Sequence, residues 1–188
     1  MLDITIVVQQ SPEPNSKLNS LLLLREVYLF LVSVPLLQQV LGETWESQCQ
    51  KYKKRGIPLS ELARFPIVSY PSGSRLRGMM EQAAAQYGLQ YRTVFSSNRA
   101  ETFDAIARTD VAGCIISHQL YGITTRKNQH LHRGNRLQSF RIDFGKFPIH
   151  SDITLIRNQD SVLAAYKQAL IQMICDHFAS YDQLVKKI

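Results

Sequence analysis

The chain alternates between two hydrophobic rhythms. Near the start, Leu2 to Val8 alternates apolar and polar positions and is rich in β-branched residues, which predicts a strand. After the turn-rich SPEPNSK comes the most apolar stretch, SLLLLREVYLFLVSVPLL at 20–37, from which a buried strand over Glu26 to Val34 is expected. From Leu36, apolar residues at 37, 40, 41 and 45 give a helix running into KYKKR, with Trp45 on its packed side.

Beyond Gly56 the pattern repeats. PLSELARF predicts a short helix opened by Ser60, and PIVSY a strand. Leu76, Met79, Met80, Ala83, Ala84 and Tyr87 recur at helical spacing until Gly88, so a helix follows the turn PSGSR. Gln90 to Ser96 reads as a strand. Asn98, with Glu101 three positions on, predicts a capped helix burying Phe103, Ile106 and Ala107. VAGCIIS is a short apolar strand, 119–135 reads as a polar loop, and Leu137 to Ile142 and Ile153 to Arg157 read as strands. A long amphipathic helix from about Ser161, apolar at 163, 166, 170, 173, 174 and 178, closes the chain. Strands alternating with helices predict α/β architecture with mostly parallel sheets, and two lobes fit the length.

Composition narrows the function classes. The 188 residues are 45% hydrophobic and 20% charged, a globular balance. Cys49, Cys114 and Cys175 are scattered with no CxxC pair, so neither a disulfide framework nor a zinc knuckle is indicated, and a cytoplasmic location is expected. MLDITIVVQQ lacks the basic start of a signal peptide. Arg25 and Glu26 split the apolar stretch into pieces too short for a bilayer of roughly 30 Å, so no membrane span is expected. The net charge of +7 is concentrated in KYKKR and in RKNQHLHRGNR at 126–136. Neither run is interleaved with aromatics, and both read as solvated surface.

Candidate chemistry gathers in two turns. Where a strand of a parallel sheet hands over to a helix, free backbone N–H groups and the positive end of the helix dipole face one crevice. In YPSGSR, Gly73 permits close backbone approach, Ser72 and Ser74 offer hydroxyls, and Arg75 a guanidinium fork. SSNR at 96–99 repeats the device with Asn98 and Arg99. Read singly, Ser74 and Asn98 cap their helices and Arg75 is solvated; two such turns in succession favour a small-anion pocket. Ser117 and His118 end the next strand, where the histidine either lines the crevice or is an ordinary surface or core residue. His130 and His132 could share a strand face but lack a third metal ligand, and Cys114 reads as a buried hydrophobe. There is no GxSxG, GxGxxG, GK[ST] loop or HExxH. No catalytic constellation, metal or cofactor is therefore expected.

The segments LDITIVV, LLLLREVYLFLVS, IPLSELARFPIVSYPSGSRLRGMMEQAAAQYGLQYRTVF, ETFDAIARTDVAGCIIS and SDITLIRNQDSVLAAYKQALIQMICDHF, in this order, resemble the C-terminal effector-binding domain of LysR-type transcriptional regulators. The resemblance implies a two-lobed α/β fold like a type 2 periplasmic binding protein, with hinge strands at Val27 to Val34 and Ile153 to Arg157. Residues 1–35 and 151–188 would be a remnant of the first lobe, which is incomplete, and 36–150 the second. It implies a small effector, a carboxylate or other anion, held between lobes by Ser72, Gly73, Ser74, Arg75, Asn98, Arg99, Ser117 and His118. It also implies homo-oligomers, with dimers expected, and DNA contact only through a helix-turn-helix with no counterpart here. Where the family carries a glycine pair, this chain has Asp110 and Ala112. A solute-binding or enzymatic relative of the same fold, and an inactive truncated fragment, are the other readings of the same residues.

Overall fold

The computed structural model describes residues 4–9, 17–132, 135–146, 151–159 and 163–185. In chain order the elements are β1 (Ile4–Gln9), β2 (Leu18–Glu26), β3 (Tyr28–Val32), α1 (Val34–Leu41), α2 (Trp45–Arg55), β4 (Ile57–Pro58), α3 (Leu59–Leu62) and β5 (Pro66–Ser69). Then follow α4 (Arg75–Gln86), β6 (Arg92–Ser96), α5 (Ala100–Ala107), β7 (Gly113–Ser117), α6 (His118–Gln129), β8 (Gln138–Asp143), β9 (Ser151–Asn158) and α7 (Ala165–Val185). The chain divides into two compact units, Met1–Val27 with His150–Lys187, and Tyr28–Ile149.

The first unit is a three-stranded sheet in the order β1-β9-β2, antiparallel throughout, which corrects the expectation of mostly parallel sheets. Its central strand β9 is buried from Ser151 to Leu155. Arg25, which interrupts the apolar run, grips the buried Asp152 through two bonds, Nε to Oδ1 at 2.9 Å and Nη2 to Oδ2 at 3.2 Å. The run itself is two strands rather than one. A bulge at Leu23 shifts the β2 register, and of its leucines only Leu24 is buried while Leu18, Leu21 and Leu22 are exposed. As an edge strand, β2 is not the buried strand that its composition suggests. The apolar stripe of α7 is likewise not a packed face, since Tyr166, Leu170 and Met173 are exposed. The expected start of that helix at Ser161 lies outside the described residues.

The second unit is a six-stranded mixed sheet in the order β4-β8-β3-β7-β5-β6. Its pairs β4-β8, β5-β6 and β5-β7 are parallel, while β3 runs antiparallel to β7 and β8. YLFLV is continuously apolar because β3 is covered on both faces. Tyr28, Phe30 and Val32 join one core with Leu36, Leu37, Tyr52, Met80 and Phe140. Leu29 and Leu31 join the other with Phe103, Ala107 and Cys114. Trp45 packs against the first core, as the periodicity predicts.

Two helices replace the single one expected after Leu36, divided by a 3-10 turn at Gly42–Thr44. Ser33 caps α1, its Oγ accepting from the Leu36 amide at 3.3 Å. The short helix is α3, entered through Pro58 rather than Ser60. The larger correction is α6, which occupies most of the expected loop. Its low apolar content hides its role, because its inner face is anchored by polar bonds. Thr124 Oγ1 donates to Asp104 Oδ1 at 3.1 Å, and Asn128 Nδ2 donates to the Leu137 carbonyl at 3.0 Å. His130 consequently ends a helix, so it and His132 do not share a strand face. Asp110 takes a left-handed conformation, with φ of 62°, in the turn where the resemblance leads one to expect glycine.

Candidate functional site

Three neighbouring strands, β7, β5 and β6, run parallel, and each is followed directly by a helix. Their carboxyl ends therefore bring the N-termini of α6, α4 and α5 to the same end of the sheet. The turn after β5 carries Ser72, Gly73 and Ser74. Gly73 has φ of 88°, a region in which a side chain is strained, and the Ser74 amide donates to the Pro71 carbonyl at 3.1 Å. The turn after β6 carries Ser97, Asn98 and Arg99. It is held beside β5 by the Ser97 amide, which donates to the Ser69 carbonyl at 3.1 Å. The two turns are thus adjacent, and Ser117 ends the third strand.

The caps at this end differ from the cap of α1. Ser74, Arg99 and Ser117 occupy the N-cap positions of α4, α5 and α6 in extended conformation, and none of their side chains bonds its own helix. Ser74 Oγ is buried without a hydrogen-bond partner among the described residues. A hydroxyl in that state costs about 1–3 kcal/mol until something bonds it. The first turns of α4 and α6 contain no acidic residue, while α5 has Glu101. Uncapped amides, dipole ends and nearby guanidiniums make this end of the sheet attractive to an anion.

Each residue singled out in the sequence has a defined place. Ser72, Gly73, Arg75, Asn98 and Arg99 are exposed, Ser74 and Ser117 half-buried, and His118 is the first residue of α6. The expected cap Asn98 is displaced by Arg99, because Ser97 Oγ accepts from the Arg99 amide at 3.0 Å and starts the helix one residue later. The residue that sequence reasoning missed is Arg77. Its Nη1 donates to the Tyr70 carbonyl at 3.3 Å and to Ser96 Oγ at 3.4 Å, and its Nε to Glu81 at 2.7 Å. It ties the ends of β5 and β6 together. The Arg77–Glu81 spacing of four was the available signal.

Behind the turns, α5 is locked to α6. Arg108 donates to both oxygens of Asp104 at 3.0 Å, and Lys127 to Oδ2 at 2.9 Å. Burial pushes the Asp104 carboxyl up, but the bonds and charges of Arg108 and Lys127 outweigh it and hold the group below its ordinary range. Cys114 is fully buried in β7, and burial pushes its thiol far up, away from nucleophilic use. Among the described residues no group of three His, Cys, Asp or Glu side chains is placed to hold a metal, and no helix is long and apolar enough to cross a membrane.

No protein-family model and no curated protein matches the chain. Solved structures do. The regulatory domain of CcmR from Synechocystis, in complex with 2-PG, aligns with a TM-score of 0.59 at 15% identity, over 94% of this chain and 73% of that one. The effector binding domain of a BenM variant aligns with a TM-score of 0.60 at 12% identity, over 97% and 73%. CbnR complexed with its target DNA aligns with a TM-score of 0.52 at 12% identity, over 96% of this chain and 49% of that one. The chain therefore spans about half of a full-length regulator of this kind. Its fold is the α/β fold of the effector-binding domains of LysR-type regulators.

Proposed function

We propose that this chain is the effector-sensing part of a LysR-type transcriptional regulator and that it binds a small anionic metabolite, a carboxylate or phosphate. The observation that carries this reading is the uncapped end of α4, where Ser74 Oγ is buried without a partner beside the turn of the neighbouring strand. The fold supports it, since relatives of that fold include a regulatory domain described in complex with 2-PG.

In this reading the effector is held at the strand ends of the second unit. Ser72, Gly73, Ser74, Arg75, Asn98, Arg99, Ser117 and His118 supply its contacts. Effector binding favours one lobe arrangement by differential affinity, and oligomer contacts pass that shift to DNA-binding segments outside these residues. The reading is of a binding site: among the described residues it offers hydrogen-bond donors and positive charge suited to holding an anion.

The test is a screen of small carboxylates and phosphates by thermal shift, followed by calorimetry of the best binder. Arg75→Ala is expected to weaken binding by about tenfold, as for loss of a charge-assisted bond, and Lys54→Ala, at the exposed end of α2, by less than about twofold. Equal losses in the two variants would remove the assignment.

A further inference from the structure

A cavity of about 410 Å³ lies beneath α4, on the face of the sheet formed by β5, β6 and β7. It exists because the residues that should fill it are small: α4 offers Ala84 and Ala85, and β6 offers Thr93. Its floor is apolar, built by Ile67, Met80, Leu89 and Ile115, with Tyr91 beside them. Its polar groups include Arg77 and Glu81, joined at 2.7 Å. Such a volume with an apolar body and a few polar groups is the form of a small-molecule site.

The polar groups define the ligand. Arg77 is held by three bonds, to Glu81, the Tyr70 carbonyl and Ser96 Oγ, and none of them uses Nη2. A donor is therefore pre-positioned beside a carboxylate acceptor, Glu81, that is more than half exposed. The pair has no net charge. A carboxylate ligand would approach Arg77 but oppose Glu81, and an ammonium ligand the reverse. A carboxamide suits both, its carbonyl accepting from the guanidinium and its N–H donating to the carboxylate.

We propose that this cavity is a second ligand site, distinct from the strand-end turns but adjoining them through Arg77 and Ser69, which takes a neutral molecule with a compact apolar or aromatic body and a carboxamide-like head. The proposal does not depend on the sensor reading, since neither the cavity nor its pair requires an anionic effector.

The experiment compares benzamide, benzoate and benzylamine, one ring with a neutral, an anionic and a cationic head, by titration with protein-observed NMR on the full chain. Benzamide is expected to bind more tightly than either charged analogue by about fivefold, the scale of one partly exposed like-charge contact. Ala84→Leu fills the cavity and Ala85→Phe obstructs its exposed side; each is expected to weaken benzamide by about tenfold or more while the circular dichroism stays that of the parent. Should Ala84→Leu fail to fold, Ala85→Phe carries the test alone, because its position is exposed. Benzoate binding as tightly as benzamide would overturn the neutral-head assignment. Absence of saturable benzamide binding, or binding indifferent to the foldable variants, would overturn the site.

Discussion

Arg77 Nη1 stands 3.4 Å from Ser96 Oγ and 3.3 Å from the Tyr70 carbonyl, so one side chain on α4 ties together the ends of two parallel strands. Both turns that follow those strands carry residues of the candidate site. The neighbouring Arg75 makes a poor substitute, because consecutive odd positions on a helix point about 200° apart.

Loss of that tie should loosen the turns more than it destabilises the fold. Arg77→Ala is expected to cost about 1–2 kcal/mol in urea unfolding, the scale of a few partly exposed bonds. It should also speed amide hydrogen exchange at Ser97 to Thr102 well beyond the change at β3. Uniform acceleration across the unit would mean that Arg77 contributes only general stability.

The link between α5 and α6 has a defined pH dependence. Asp104 is held below its ordinary pKa in the folded state, so its contribution is fully present above the unfolded carboxylate value of about 3.9 and is lost as pH falls through the folded value. Asp104→Asn should cost about 2–3 kcal/mol at neutral pH, less than for a wholly buried pair because Lys127 is half exposed. The difference between variant and parent should shrink in acid. A gap that stays constant from neutral pH to pH about 3 would contradict this assignment.

Two glycines should respond in opposite directions to alanine. A Cβ at Gly113 would meet the Phe30 ring at 2.3 Å, and Phe30 is fully buried, so Gly113→Ala should cost about 2–3 kcal/mol. A Cβ at Gly78, inside α4, meets nothing within 4 Å. Gly78→Ala should therefore stabilise by about 0.5–1 kcal/mol. Denaturation midpoints of the two variants decide both points.

Two serines at N-cap positions should also diverge. Ser33 bonds the Leu36 amide, and Ser33→Ala should cost about 1 kcal/mol. Ser74 Oγ has no hydrogen-bond partner among the described residues, so Ser74→Ala removes an unsatisfied buried hydroxyl and should stabilise the unliganded protein by about 1 kcal/mol. Comparable losses at the two positions would show that Ser74 is an ordinary structural cap.

Local pattern alone determined the parts of this protein whose residues face one environment along their whole length. The five apolar residues of β3, the strand CIIS and the strand-turn-helix passage through PSGSR read correctly because period and turn chemistry are set by near neighbours. Position in the sheet decided the rest. Leu18, Leu21 and Leu22 of β2 are exposed because that strand lies at an edge. Helix α6 is hidden in a polar segment because its inner face is satisfied by Asp104 and by the carbonyl before β8, partners distant in sequence. The choice of Arg77 over Arg75 as the tie, and the meeting of three helix ends at one end of the sheet, depend on strand order and helix rotation. No short window of residues encodes either, since both arise from contacts made only after distant segments have paired.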